Sequence, residues 1–160
     1  MNERSSGLIL EISELGTRYA MGLESYTLVD GSFDPIHDGH INYFNQAAKL
    51  GNPVACLIAP ENYTQTKHPI LLPVEIRAQV IASLRQISMV IISEKTTAEG
   101  LKVIRPAIYF KGPDWAERLP QEITRTCAEI GTKIVFGTSP TNSSSRILEK
   151  FVEQLRQYSK

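Results

Sequence analysis

From about residue 26 onward, short β-prone apolar runs alternate with segments of helical character, and this alternation restricts the fold more than any other feature of the chain. Tyr26-Thr27-Leu28-Val29 is the first run and ends at Gly31. A helix is expected from near Gly39 to Leu50, stopped by Gly51-Asn52-Pro53. Val54-Ala55-Cys56-Leu57-Ile58-Ala59 reads as a buried strand closed by Pro60, and the polar residues 61–72 read as a loop. Pro73 opens a helix to about Gln86, at a first-turn position where its missing N–H costs nothing. Met89–Ile92 is the third strand, and Thr96 or Thr97 caps a short helix that ends before Pro106. Ala107–Phe110 and Lys133–Phe136 are the fourth and fifth strands, with a helix between them and another from about Ser144 to Gln157. Strands separated by helices imply βαβ units, a parallel sheet and right-handed crossovers. The expected fold is α/β: a Rossmann-like, doubly wound, parallel five-stranded sheet with helices on both faces. Residues 1–24 read as an N-terminal helical extension with Leu8, Ile9, Ile12 and Leu15 on one side, packed on the domain of residues 25–160 or on a second subunit.

A chain of 160 residues suits one compact domain, and 42% hydrophobic residues suffice for a core without disulfide or metal staples. Seventeen Lys and Arg balance seventeen Asp and Glu. A zero net charge weighs against a nucleic-acid partner, which normally demands a basic excess. Cys56 and Cys127 lie in apolar stretches without metal-ligand spacing, so buried free thiols and a reduced, cytoplasmic setting are expected. No apolar run is long enough to span a membrane, and the charged start does not read as a signal peptide.

Parallel α/β sheets bind ligands beyond the carboxyl ends of their strands. Three loops at those ends, 31–40, 111–115 and 137–145, hold the residues most suited to chemistry. The strongest is Gly31-Ser32-Phe33-Asp34-Pro35-Ile36-His37-Asp38-Gly39-His40, which follows a strand and opens a helix. Free N–H groups and the positive dipole end at a helix start suit phosphate. Gly31 admits a close ligand, and Gly39 leaves room above the first turn. His37 and His40, three residues apart, can face one point and stabilise charge growing on a phosphate. A zinc site has less support, because a third ligand would have to come from His68 or a carboxylate with no matching spacing.

This run resembles the GxFDxxHxGH signature of the cytidylyltransferase-like nucleotidyltransferases, and the resemblance extends over residues 26 to about 150. It implies that His37 and His40 contact nucleotide phosphates, with Ser32, Phe33 and Asp34 beside the nucleotide. It also implies that the acceptor's own phosphate oxygen attacks the α-phosphorus, so no enzyme nucleophile is required. Asn142-Ser143-Ser144-Ser145-Arg146-Ile147-Leu148 read alone is a capped helix start. Beside the first motif it resembles the family's ISSTxIR segment, which places Ser143, Ser144 and Ser145 at the outer phosphates. Leu148 departs from the basic residue that often ends that segment, as in the heptose-phosphate branch, and Arg146 is a candidate replacement. Lys67 is either a solvated surface lysine or, by resemblance, a phosphate-binding lysine. Arg77, in a Glu-x-Arg run, is a candidate for phosphate or for pairing with a carboxylate. Lys111-Gly112-Pro113-Asp114-Trp115 resembles KGGDY of heptose-phosphate adenylyltransferases and GDDW of glycerol-phosphate cytidylyltransferases, which lays Lys111, Gly112, Asp114 and Trp115 against the nucleotide.

The implied reaction joins a nucleotide from CTP or ATP to a phosphorylated small molecule and releases pyrophosphate. A sugar, polyol or amino-alcohol phosphate is the expected acceptor. Magnesium is expected to bridge the nucleotide phosphates, with no protein side chain assigned as its ligand. Family resemblance also allows a homodimer. The alternatives are a nucleotide-binding sensor without catalysis and an adenylyltransferase acting on a cofactor precursor.

Overall fold

The computed structural model describes residues 7–15, 23–138 and 142–158. Its centre is a parallel sheet of six strands in the order β1-β4-β3-β2-β5-β6. The strands are β1 (Leu8–Glu11), β2 (Thr27–Gly31), β3 (Val54–Ile58), β4 (Met89–Ile92), β5 (Ile108–Lys111) and β6 (Lys133–Phe136). The helices are α1 (Asp38–Ala48), α2 (Glu61–Gln65), α3 (Val74–Ala82), α4 (Thr97–Ile104), α5 (Gln121–Ile130) and α6 (Ser144–Tyr158). Short 3-10 turns occupy Ile12–Glu14 and Pro113–Trp115.

The doubly wound arrangement follows from which side chains each strand sends to which face. Every residue of β3 is buried, and they divide by the period of two. Val54, Cys56 and Ile58 pack with Phe44 and Ala47 of α1 and Ala78 and Ile81 of α3. Ala55 and Leu57 pack on the other face with Ala98 and Leu101 of α4 and Ile123 and Cys127 of α5. A strand apolar on both sides is what a sheet covered twice requires. Both cysteines are free and buried, and burial raises both thiol pKa values, that of Cys127 to about 11.

The sixth strand corrects the helical expectation at residues 8–11. There the chain pairs in parallel with β4, Leu8 opposite Met89 and Glu11 opposite Ile92. Leu10 enters the core at 2% exposure, while Leu8 and Ile9 stay on the surface at 40% and 38%. Four apolar-rich residues fit a helix stripe or an edge strand equally well, and the open edge of β4 decides between them. Residues 1–6 and 16–22 of the expected extension lie outside the described residues. The loop expected at 61–72 contains one short helix, α2, whose N-cap is Pro60 and whose first turn carries Glu61.

The topology also makes the crevice. β2 pairs with β3 along all five residues but with β5 only through Thr27 and Leu28. Beyond Leu28, β2 and β5 part, where the winding reverses direction, and such switch points are where open α/β sheets bind ligands.

Candidate active site

The carboxyl end of β2 leads into a tightly built loop. Phe33 adopts a left-handed backbone with φ of 53°, uncommon for an aromatic residue. Its ring meets His40 edge-on at 4.9 Å and packs on Phe44 at 5.1 Å. A Cβ on Gly31 would sit 2.9 Å from that ring, so glycine is required there by space.

His37 caps α1 through its backbone, its carbonyl accepting the N–H groups of His40 and Ile41. The two imidazoles stack, with centroids 3.7 Å apart and planes 23° from parallel. Both ring nitrogens of His37 and Nδ1 of His40 are buried without a hydrogen-bond partner among the described residues. Buried polar atoms left in that state are costly unless a ligand meets them. Burial lowers the pKa of His37 against the opposing pull of Asp38. Burial, then His37 and Lys67, lowers that of His40 to about 3. The pair is therefore neutral at pH 7 before an anion arrives. Each neutral ring offers one N–H, and an approaching phosphate favours uptake of a proton.

A second helix start lies beside the first. Ser144 Oγ donates to the Pro35 carbonyl at 2.9 Å, and Asn142 Nδ2 donates to Asp38 Oδ1 at 3.3 Å. These bonds hold the start of α6 against the start of α1. Ser143, Ser144 and Ser145 all line one cavity of about 930 Å³, together with His40, Lys67 and Lys111. That volume is at the upper end for small-molecule sites.

At the switch point Asp30 and Lys111 form a buried ion pair, Nζ to Oδ1 at 2.7 Å. Asp30 also accepts from Tyr109 Oη at 3.0 Å and Thr97 Oγ1 at 3.2 Å, which ties β2 to β5 and α4. Lys111 Nζ lies 4.2 Å from the centroid of the Trp115 ring, and the Arg118 guanidinium lies 4.8 Å from it. Arg118 in turn pairs with Asp114. Lys67 projects over the Tyr63 ring at 4.5 Å, and loss of solvent around its ammonium, followed by Lys111, lowers its pKa.

Most of the residues singled out in the sequence converge here. Gly31, Ser32, Phe33, His40, Lys67, Lys111, Gly112, Asp114, Trp115 and Ser143–Ser145 line the cavity, and His37 stacks on His40 without lining the cavity itself. Asp34, Gly39, Arg77 and Arg146 do not line it either. Asp34 is fully buried and accepts the N–H groups of Leu71 and Leu72, so its carboxylate is already occupied by backbone. Arg77, at 1% exposure, donates to the carbonyls of Leu72, Ser32 and Ala59 and hydrogen-bonds no carboxylate among the described residues. Arg146 is exposed outside the cavity lining. Asp30, Arg118 and Asn142 line the site and were not singled out. Asp30 had a legible signal, the strand position before Gly31, and Asn142 opens the serine run at the start of α6; Arg118 had none.

Paired imidazoles at a helix start on the switch point of a parallel sheet, with a lysine and a second helix start alongside, define a nucleotide-binding transferase site. The family profile described as cytidylyltransferase-like matches residues 28–150. The chain belongs to this family, and it is a nucleotidyltransferase. It is similar to the FAD synthase of Methanohalophilus mahii, 28% identical over 137 residues covering 81% of this chain and 95% of that protein. The FAD synthase of Thermococcus kodakarensis is 30% identical, covering 79% of this chain and 91% of that protein. The bifunctional protein HldE of Hahella chejuensis is 34% identical over 98 residues, 59% of this chain and 20% of that protein. Among solved structures, the lipopolysaccharide core biosynthesis protein of Thermoplasma volcanium shares the fold, with a TM-score of 0.61 at 19% identity over 74% of this chain and 98% of that one. Pantoate-beta-alanine ligase of Francisella tularensis does too, with a TM-score of 0.63 at 16% identity over 90% of this chain and 73% of that one.

Proposed function

We propose that this nucleotidyltransferase moves AMP from ATP onto the phosphate of flavin mononucleotide, forming a phosphoanhydride and releasing pyrophosphate. The observation that carries the chemistry is the stacked His37–His40 pair, of which His40 lines the cavity and three buried ring nitrogens have no hydrogen-bond partner among the described residues. The acceptor follows from the relatives named FAD synthase, which align over most of both chains. A sugar-phosphate acceptor is the second reading, supported by the Lys111-Gly112-Pro113-Asp114-Trp115 loop and by the similarity to HldE.

An oxygen of the acceptor phosphate attacks the α-phosphorus. The bond between that phosphorus and the oxygen bridging to the β-phosphate breaks, and its electron pair leaves with pyrophosphate. The acceptor oxygen is already ionised, so the protein need not remove a proton. Its task is to position the phosphates and to stabilise the charge that spreads over their oxygens. His37 and His40 donate ring N–H groups to that charge, and Lys67 adds a cation. The free N–H groups and hydroxyls of Ser143–Ser145 hold the leaving phosphates at the start of α6. Among the described residues no three His, Cys, Asp or Glu side chains converge on a point. A magnesium ion would be held through the nucleotide phosphates, and there it would neutralise their charge.

The test is pyrophosphate release with ATP or CTP against flavin mononucleotide and a set of sugar and polyol phosphates. ATP with flavin mononucleotide is expected to yield FAD, and His40→Ala is expected to lower turnover at least about a hundredfold. Pyrophosphate released only with a sugar or polyol phosphate overturns the acceptor. Turnover within a few-fold of wild type in His40→Ala overturns the assignment of the site.

A further inference from the structure

Asp34 and Arg77 face away from the cavity, yet between them they hold the loops that carry its charged groups. The Leu72 peptide is gripped from both sides. Its N–H donates to Asp34 Oδ1 at 2.9 Å, and its carbonyl accepts from Arg77 Nε at 3.0 Å. The neighbouring Leu71 N–H donates to Asp34 Oδ2 at 2.8 Å. Arg77 Nη1 reaches the Ser32 carbonyl at 2.8 Å and the Ala59 carbonyl at 3.2 Å. Glu61 closes the base of the same loop by accepting the Val74 N–H at 3.2 Å.

Three segments therefore meet at one buried guanidinium: the turn leaving β2, the turn leaving β3, and the end of the 66–73 loop that bears Lys67. We infer that Arg77 and Asp34 are positioning residues that set where Lys67 stands relative to the histidine pair. Arginine suits this task because its planar fork sends donors in several fixed directions. A lysine keeps the charge but has one nitrogen, and it cannot reach all three carbonyls at once. Asp34 is matched to its place in the same way, since each carboxylate oxygen accepts one backbone N–H. An asparagine there would turn its amide donors toward one of those N–H groups.

This inference rests on the reading of Lys67 as a phosphate contact, and the experiment separates the two. The kcat/KM for pyrophosphate release is measured, per folded molecule, for Arg77→Lys, Asp34→Asn, Lys67→Ala and the two double variants with Lys67→Ala. Thermal melts report stability in parallel. A displacement of about an ångström can lower a rate about a hundredfold, and a loss of that order is expected for either clamp variant alone. In the Lys67→Ala background the same substitutions should cost only a few-fold, because residues acting through one group are not additive. Losses that multiply fully, with Lys67→Ala itself strongly impaired, overturn the clamp and leave the site standing. Lys67→Ala at wild-type activity overturns the reading of the site. If Arg77→Lys fails to fold, the cycle with Asp34→Asn decides alone.

Discussion

Gly39→Ala tests whether the spacing between two helix starts governs the rate. Gly39 lies in the first turn of α1, where a Cβ would meet the backbone N of Asn142 at 2.6 Å and the His37 ring at 3.0 Å. Ordinary contact begins near 3.4 Å, so the start of α6 must retreat by about 0.8 Å from α1, or His37 must leave its stack. The hydrogen bonds from Asn142 to Asp38 and from Ser144 to Pro35 resist that retreat. Two effects on stability oppose each other. Alanine gains about 1 kcal/mol over glycine inside a helix. Overpacking costs about 1–3 kcal/mol. A net loss of at most about 2 kcal/mol is expected, which leaves most domains folded. Activity has no such offset. Under the proposed function the serines at the start of α6 and the two histidines at the start of α1 hold one chain of phosphates, and a shift of about an ångström can lower the rate about a hundredfold. Pyrophosphate release at limiting and saturating ATP, with a thermal melt of the same sample, reads both quantities. A folded Gly39→Ala protein with kcat/KM within a few-fold of wild type refutes the argument that the two helix starts act together.

Two further outcomes are expected. Asp30→Ala leaves Lys111 buried without its partner and should cost about 3 kcal/mol, read by denaturant unfolding, while Asp30→Ala/Lys111→Met should recover most of that loss; a double variant no more stable than the single one refutes this. For pH, His37 and His40 hold folded pKa values below 6.5, so between that value and the folded ones the unfolded chain binds more protons. The stability they contribute is fully present above 6.5 and falls as the pH drops, down to about 3 for His40. Melts across that range should show a shallower slope in His40→Gln, and an unchanged slope refutes the assignment.

Much of this was legible in the chain because its signals are local. Val54-Ala55-Cys56-Leu57-Ile58 is apolar at every position, so it had to be covered on both faces, and a doubly wound parallel sheet follows. The Gly31–His40 run names its own chemistry, since two imidazoles three residues apart at a helix start face one point. Leu8–Glu11 was misread because its pattern serves a helix or a strand, and only the open edge of β4 tells them apart. The surroundings of Asp34 and Arg77 were not legible for a different reason. Charged residues in and after a phosphate-binding motif look like ligand contacts, whereas here the Asp34 carboxylate and Nε and Nη1 of Arg77 bond backbone groups.

Within this protein, then, the sequence by itself determined the α/β class, the order of the strands from β2 onward, and the histidine, lysine and serine groups that the fold gathers around one cavity. Those properties follow from periodicity and from side-chain chemistry, which act over a few neighbouring residues. Tertiary structure alone decided which charges face the cavity and which are spent inside the protein. Asp30 and Lys111 are 81 residues apart and become an ion pair only because β2 and β5 are neighbours in the sheet, so that the pair bridges the gap where the two strands part. Arg77 reaches the Ser32 carbonyl across 45 residues only because α3 packs on the same face of the sheet as α1. The role of a charged side chain depends on the partners within about 3 Å of it, and for these residues the fold supplies every one of them.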